Sequence, residues 1–167
     1  MTPRGVTAAD VRWTCATSSA DETWEAGRAL GACLGGGEVL TLDGELGMGK
    51  TRFVQGLAEG LGIPPEGVTS PTFAVRHDHE GRLPLAHLDF YRLADPDEID
   101  WLDLLDAPPQ TVIAIEWADK LPTTLPADRL SIRLTPGPAP DDRTIAWLPT
   151  GPVAARALQA LRARYGA

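Results

Sequence analysis

The sequence predicts an α/β domain of three layers, with helices around a mainly parallel sheet that carries added antiparallel strands. Three observations predict it. Apolar residues at helical spacing alternate along the chain with short apolar runs of strand length. One such run, Thr111-Val112-Ile113-Ala114-Ile115, is continuous, as expected of a parallel strand buried on both faces. No repeat and no linker divides residues 1–167, so they read as a single domain with room for a real core.

Residues 1–17 read as an irregular or strand-like lead. Ser19-Ala20-Asp21-Glu22 has the form of a capping box. The helix it starts carries Ala26, Leu30, Cys33 and Leu34 on one face, and Gly35-Gly36-Gly37 ends it. Glu38–Leu42 is a short apolar strand. A second helix follows, with Phe53, Val54, Leu57, Ala58 and Leu61 inward and Gly62 and Pro64 as its stop. Residues 62–72 form a loop. Strands over about 74–78 and 83–91 flank the turn-prone His79-Glu80-Gly81-Arg82. An acidic helix over 95–106, with Ile99, Leu102 and Leu105 inward, is broken by Pro108 and Pro109. After the apolar strand at 111–115 come strands over 129–134 and 143–148, then a helix over 154–165.

Composition narrows the function. The formal net charge of −8 argues against a chain that grips nucleic acid by itself, which needs a basic patch. No apolar run reaches the roughly 20 residues of a membrane span, and residues 1–10 lack the apolar stretch of a signal peptide. Cys15 and Cys33 form no framework, so a reducing, cytoplasmic setting is expected. Arginine dominates the basic residues; Lys50 and Lys120 are the only lysines.

Lys50 closes the strongest motif. Gly44-Glu45-Leu46-Gly47-Met48-Gly49-Lys50-Thr51 fits GxxxxGK[ST] and lies between a strand and a helix, the context a phosphate-binding P-loop requires. Glycines let the backbone curl its N–H groups onto phosphates, and the helix N-terminus adds positive potential. Lys50 is expected to reach the β- and γ-phosphates of ATP or a related nucleoside triphosphate, and the Thr51 hydroxyl to bind Mg²⁺. The domain is therefore expected to have a P-loop NTPase fold. Glu116 ends the buried strand, where an acid that holds Mg²⁺ or orients the attacking water belongs. Trp117 beside it is ambiguous, a cap on the core being the commoner fate of a lone tryptophan. In His87-Leu88-Asp89-Phe90-Tyr91-Arg92, alternation puts His87, Asp89 and Tyr91 on one face, which is either a site or the solvated face of an edge strand. Asp89 is its candidate for metal or proton. Thr72, in Ser70-Pro71-Thr72-Phe73, is a candidate γ-phosphate switch. His77 and His79 form at most a weak metal pair.

In this order and spacing, the P-loop, SPTF, HxDxYR and IEW motifs resemble those of the bacterial TsaE (YjeE) family, from about Ser19 to Leu148. The likeness takes in Thr23, Glu98, the 125–130 stretch and Arg143, and departs at Arg52, where a small polar residue is usual. It implies an ATPase that serves formation of N6-threonylcarbamoyladenosine at position 37 of tRNAs reading ANN codons. It implies TsaB–TsaD as the partner, with tRNA met only through that partner and no membrane involved. The threonylcarbamoyl transfer itself is not its reaction. It implies Thr23 in the nucleotide site, Thr72 in a switch loop, and Asp89 and Glu116 as the catalytic or metal-directed acids. A small-molecule or nucleoside kinase shares the P-loop but needs an arginine-bearing lid, for which Arg76, Arg82 and Arg92 are the candidates. A nucleotide-dependent binding module with negligible turnover is the third reading.

Overall fold

The computed structural model describes residues 12–69, 71, 75–91, 105–120 and 125–165. Seven strands form one sheet: β1 Trp13–Thr17, β2 Val39–Asp43, β3 Arg76–His79, β4 Leu85–Asp89, β5 Val112–Glu116, β6 Leu130–Pro136 and β7 Arg143–Pro149. Their order is β1-β7-β6-β2-β5-β4-β3. The central four, β6, β2, β5 and β4, pair in parallel. β7 and β3 add to them antiparallel, and β1 pairs antiparallel with β7. This is the expected mainly parallel sheet with antiparallel additions. The strands expected after residue 37 fall within two residues of their expected bounds, the stretch expected over 83–91 being shorter by two at each end, Leu85–Asp89.

Helices α1 (Ala20–Cys33), α2 (Lys50–Gly60) and α3 (Pro152–Arg164) share one apolar cluster with Leu40, Leu42, Val112, Ala114, Ile132 and Trp147 of the sheet. Alternation sends the intervening residues to the opposite face, where Ile115, Ala86, Leu88 and Phe90 form a second cluster with Ala118. Leu105 and Leu125 pack against it. The acidic helix expected over 95–106 lies almost wholly outside the described residues.

Local chemistry sets each boundary. Ser19 caps α1 by accepting the Glu22 N–H at 3.1 Å. The capping box is shifted by one residue, because Glu22 accepts from the N–H and hydroxyl of Ser18 rather than from Ser19. Buried Glu38 accepts the Gly35 and Gly36 N–H groups, which answers its charge at the turn into β2. Gly151 offers α3 no side-chain cap, and Asp128 supplies one from the preceding loop by accepting from Val153 and Ala154. Cys15 accepts from the indole N–H of fully buried Trp147 at 3.4 Å, and burial pushes its thiol pKa up.

α1 and α2 meet backbone to backbone. Gly27 and Gly31 of α1 face Gly56 and Gly60 of α2, and a Cβ on Gly56 would lie 1.9 Å from the Trp24 carbonyl oxygen. This contact fixes the N-terminus of α2 against Thr23 of α1. Gly56→Ala is therefore expected to cost about 1–3 kcal/mol by overpacking, a Tm loss of roughly 2–12 °C in thermal melts. An unchanged melting curve would contradict this packing.

Candidate functional site

The parallel strands β2, β5 and β4 all end on one edge of the sheet, where α/β folds bind ligands. β2 runs into the glycine loop, β5 ends on Glu116 and β4 on Asp89. The register sets Glu116 opposite Leu42 on one side and Asp89 on the other. The loop needs its glycines: Gly47 and Gly49 have φ of +84° and +99°, which a side chain would strain. Gly49 caps α2 in the left-handed region with no side-chain hydrogen bond, and the first turn of α2 holds no acid. The uncapped N–H groups and a lysine at the positive helix end make a site that fits an anion.

Lys50 is buried at that end. Its ammonium donates to the Gly44 carbonyl and lies 3.6 Å from the centroid of the Trp117 ring. Burial lowers its pKa, and Glu116, Asp89, Asp119 and Asp43 act in the opposite direction. Burial also raises the pKa of Asp43, followed by repulsion from Asp119. Trp117 has φ of +59°, a left-handed conformation unusual for a bulky residue, and its ring packs 5.0 Å from that of Tyr91. In this backbone conformation the ring lies over Lys50.

A cavity of about 430 Å³ is lined by Gly47, Gly49, Lys50, Thr51, Asp89 and Glu116, with Leu46, Arg52, Tyr91 and Trp117 around them. Asp89 takes the Tyr91 N–H on Oδ1 at 2.9 Å, and its own N–H donates to the Val75 carbonyl. Glu116 accepts from His87 through a 2.6 Å contact. Thr51, Asp89 and Glu116 bring a hydroxyl and two carboxylates to one cavity, hard oxygens of the kind Mg²⁺ takes. Among the described residues no three His, Cys, Asp or Glu side chains cluster as a metal cage.

A family model for the threonylcarbamoyl adenosine biosynthesis protein TsaE matches residues 17–145. The chain belongs to the TsaE family. A TsaE from a Nostoc species, called a tRNA threonylcarbamoyladenosine biosynthesis protein, is 41% identical over 124 residues, 70% of this chain and 74% of that one. The protein of the same name from Bacillus subtilis is 40% identical over 136 residues, 81% and 84% of the two chains. The crystal structure of Bacillus subtilis YdiB superposes with a TM-score of 0.76 at 32% identity, covering 94% of this chain and 97% of that one. The P-loop fold expected from the motif is thus the fold of the TsaE family, and nucleotide binding goes with it.

Within this TsaE chain the structure gathers most of the expected site. Gly44, Glu45 and Met48 line a second cavity of about 640 Å³ on the far side of the loop, bounded by Trp117, Asp119 and Arg133. Leu46 stands 65% exposed at the loop tip. Thr23 is buried, bonds Thr17 at 2.9 Å, and lines a small recess with Gly47, Gly49 and Arg143. Thr72 lies outside the described residues. The edge-strand alternative for the His87–Asp89 stretch is overturned: β4 is an inner strand, buried throughout, and β3 takes the edge. Tyr91, beyond the strand, is exposed. The rings of His77 and His79 stand 6.3 Å apart, edge to face, in no metal cluster among the described residues.

Three contributors carried no assigned role in the sequence reading. Arg143 of β7 reaches over to donate to the Met48 and Gly47 carbonyls and braces the loop; its position opening a strand gave no sign of this. Trp117 covers the lysine as well as meeting the second cluster. His87 bonds Glu116, a pairing that alternation alone could not find because it spans two strands. Arg52, the departure from the family pattern, pairs with Asp21 across α1 and α2 at 3.0 Å.

Proposed function

We propose that this chain works as a single P-loop ATPase domain in the cytoplasm. It supports formation of threonylcarbamoyladenosine at position 37 of tRNAs reading ANN codons, as the accessory subunit of a TsaB–TsaD transferase. The observation that carries the reading is the meeting of Lys50, Thr51, Asp89 and Glu116 in one cavity at the uncapped start of α2. Family membership supports the pathway. The net charge of −8 supports a chain that leaves tRNA to its partners.

The residues divide the work by position. The loop N–H groups and the α2 terminus hold the phosphates of ATP, and Lys50 turns from the Gly44 carbonyl to the β- and γ-phosphates. Arg143 keeps the loop curled. Thr51, Asp89 and Glu116 would hold Mg²⁺, which supplies neutralisation of the phosphate charge. Glu116 and Asp89, fixed at adjacent strand ends, orient the attacking water. Trp117 and Tyr91 wall the cavity and limit bulk water around the reacting phosphate.

Incubation with γ-labelled ATP, with and without TsaB–TsaD, tests the proposal. Label released as phosphate to water, and raised by the partner, is the expected result. Transfer of label to a small acceptor would establish a kinase instead. Arg82 is already engaged with the carbonyls of Leu34 and Gly31, and so caps α1 rather than a substrate. Tight binding with no turnover in either condition would leave a binding module.

Thr72 is proposed as the sensor of the γ-phosphate. Thr72→Ala is expected to bind ATP nearly as tightly, since Lys50 and the loop amides remain, and to lose the nucleotide dependence of TsaB–TsaD affinity. Partner affinities measured with ADP and with a non-hydrolysable ATP analogue check this. Equal affinities in the unmodified protein would dispose of the switch.

A further inference from the structure

We propose that His87 is a positioning residue that holds Glu116 in one orientation toward the cavity, an inference that rests on reading Glu116 as an acid of ATP hydrolysis. His87 lies in β4 between β5 and β3 and is 0% exposed. Its Nε2 lies 2.6 Å from Oε2 of Glu116, which is itself 2% exposed. An ionised carboxylate only accepts, so Nε2 carries the hydrogen and donates it. That bond selects the tautomer, as a bond on one ring nitrogen does for the other.

The Nδ1 of His87 is buried and has no hydrogen-bond partner among the described residues, although His77 stands opposite in register on β3. Buried polar atoms are mostly bonded, and among the described residues this ring's one hydrogen bond goes to Glu116. Glu116 Oε1 makes no hydrogen bond to a described residue, and Glu116 lines the cavity with Lys50, Thr51 and Asp89. The terminal torsion of a free glutamate is broad. Anchoring Oε2 narrows it and sets the direction in which Oε1 accepts a hydrogen from water. His87 thus stands to Glu116 as the outer partner of a metal-binding side chain stands to its ligand.

Two variants of similar size separate this role from packing. The amide nitrogen of glutamine reaches the place of Nε2, whereas that of asparagine reaches only the place of Nδ1. The full chain is assayed with TsaB–TsaD for kcat, and by calorimetry for ATP affinity. His87→Asn is expected to lower kcat by about tenfold to a hundredfold with ATP affinity little changed, and His87→Gln to recover most of that loss. Added to Glu116→Gln, His87→Asn is expected to cause no further loss, because its effect passes through that carboxylate. Equal kcat for the Asn and Gln variants would overturn the inference, as would the same fold-loss in the Glu116→Gln background. Full activity in Glu116→Gln would overturn the reading of Glu116, and this inference with it. A large loss in Glu116→Gln beside equal His87 variants would overturn the inference alone.

Discussion

Lys50→Ala is expected to weaken ATP binding by about tenfold to a hundredfold, the loss of one charge-assisted hydrogen bond of roughly 1.5–3 kcal/mol. Lys50 is buried at the start of α2, where an ammonium is disfavoured by the helix dipole and by burial unless an anion answers it. The acids nearby act to keep its charge in the free chain, and phosphate oxygens would replace part of that in the proposed complex. Arginine is no substitute, since a planar fork does not fit where a compact ammonium reaches two phosphates. The fold survives the alanine, because the side chain's hydrogen bond is to a loop carbonyl and its ring contact is to Trp117 at the site. Isothermal titration with ATP, beside a melting curve, measures both statements. Unchanged affinity would mean that the loop does not bind phosphate.

Glu116→Gln and Asp89→Asn are expected to lower hydrolysis by about a hundredfold to ten-thousandfold, with ATP affinity changed little by comparison. Each variant keeps the size of the side chain and removes the charge that acts on water and metal in the transition state. The two losses are expected to be less than additive in the double variant, since the residues are register partners on neighbouring strands and share one cavity. Single-turnover hydrolysis with TsaB–TsaD present measures the rate apart from binding. A variant with full activity would take its residue off the catalytic set.

Much of this site was legible in the sequence because its parts are local. The glycine loop, the lysine and the strand-ending glutamate each lie within one short segment, and chain direction alone puts strand ends on one edge of a parallel sheet. Burial on both faces was readable from the continuous 111–115 run, whereas at β4 the polar His87 and Asp89 hid the burial of one face. What was not legible depends on pairs distant in sequence. Arg143 meets the loop across about 95 residues, and His87 meets Glu116 across two strands. The close approach of α1 and α2 did leave a signal, glycines four apart in both helices, which helical spacing of apolar residues does not detect. The place of β3 at the sheet edge, rather than β4, follows from strand order, which local patterning leaves open.

The central claim is that this chain's nucleotide site serves tRNA threonylcarbamoylation. It is tested most directly in the chain's own host, by depleting the protein and quantifying threonylcarbamoyladenosine in tRNA by mass spectrometry. The account predicts that the modified nucleoside falls on depletion, returns when the unmodified chain is re-expressed, and does not return with Lys50→Ala at equal abundance. Unchanged nucleoside content after depletion, or full recovery with Lys50→Ala, would contradict it.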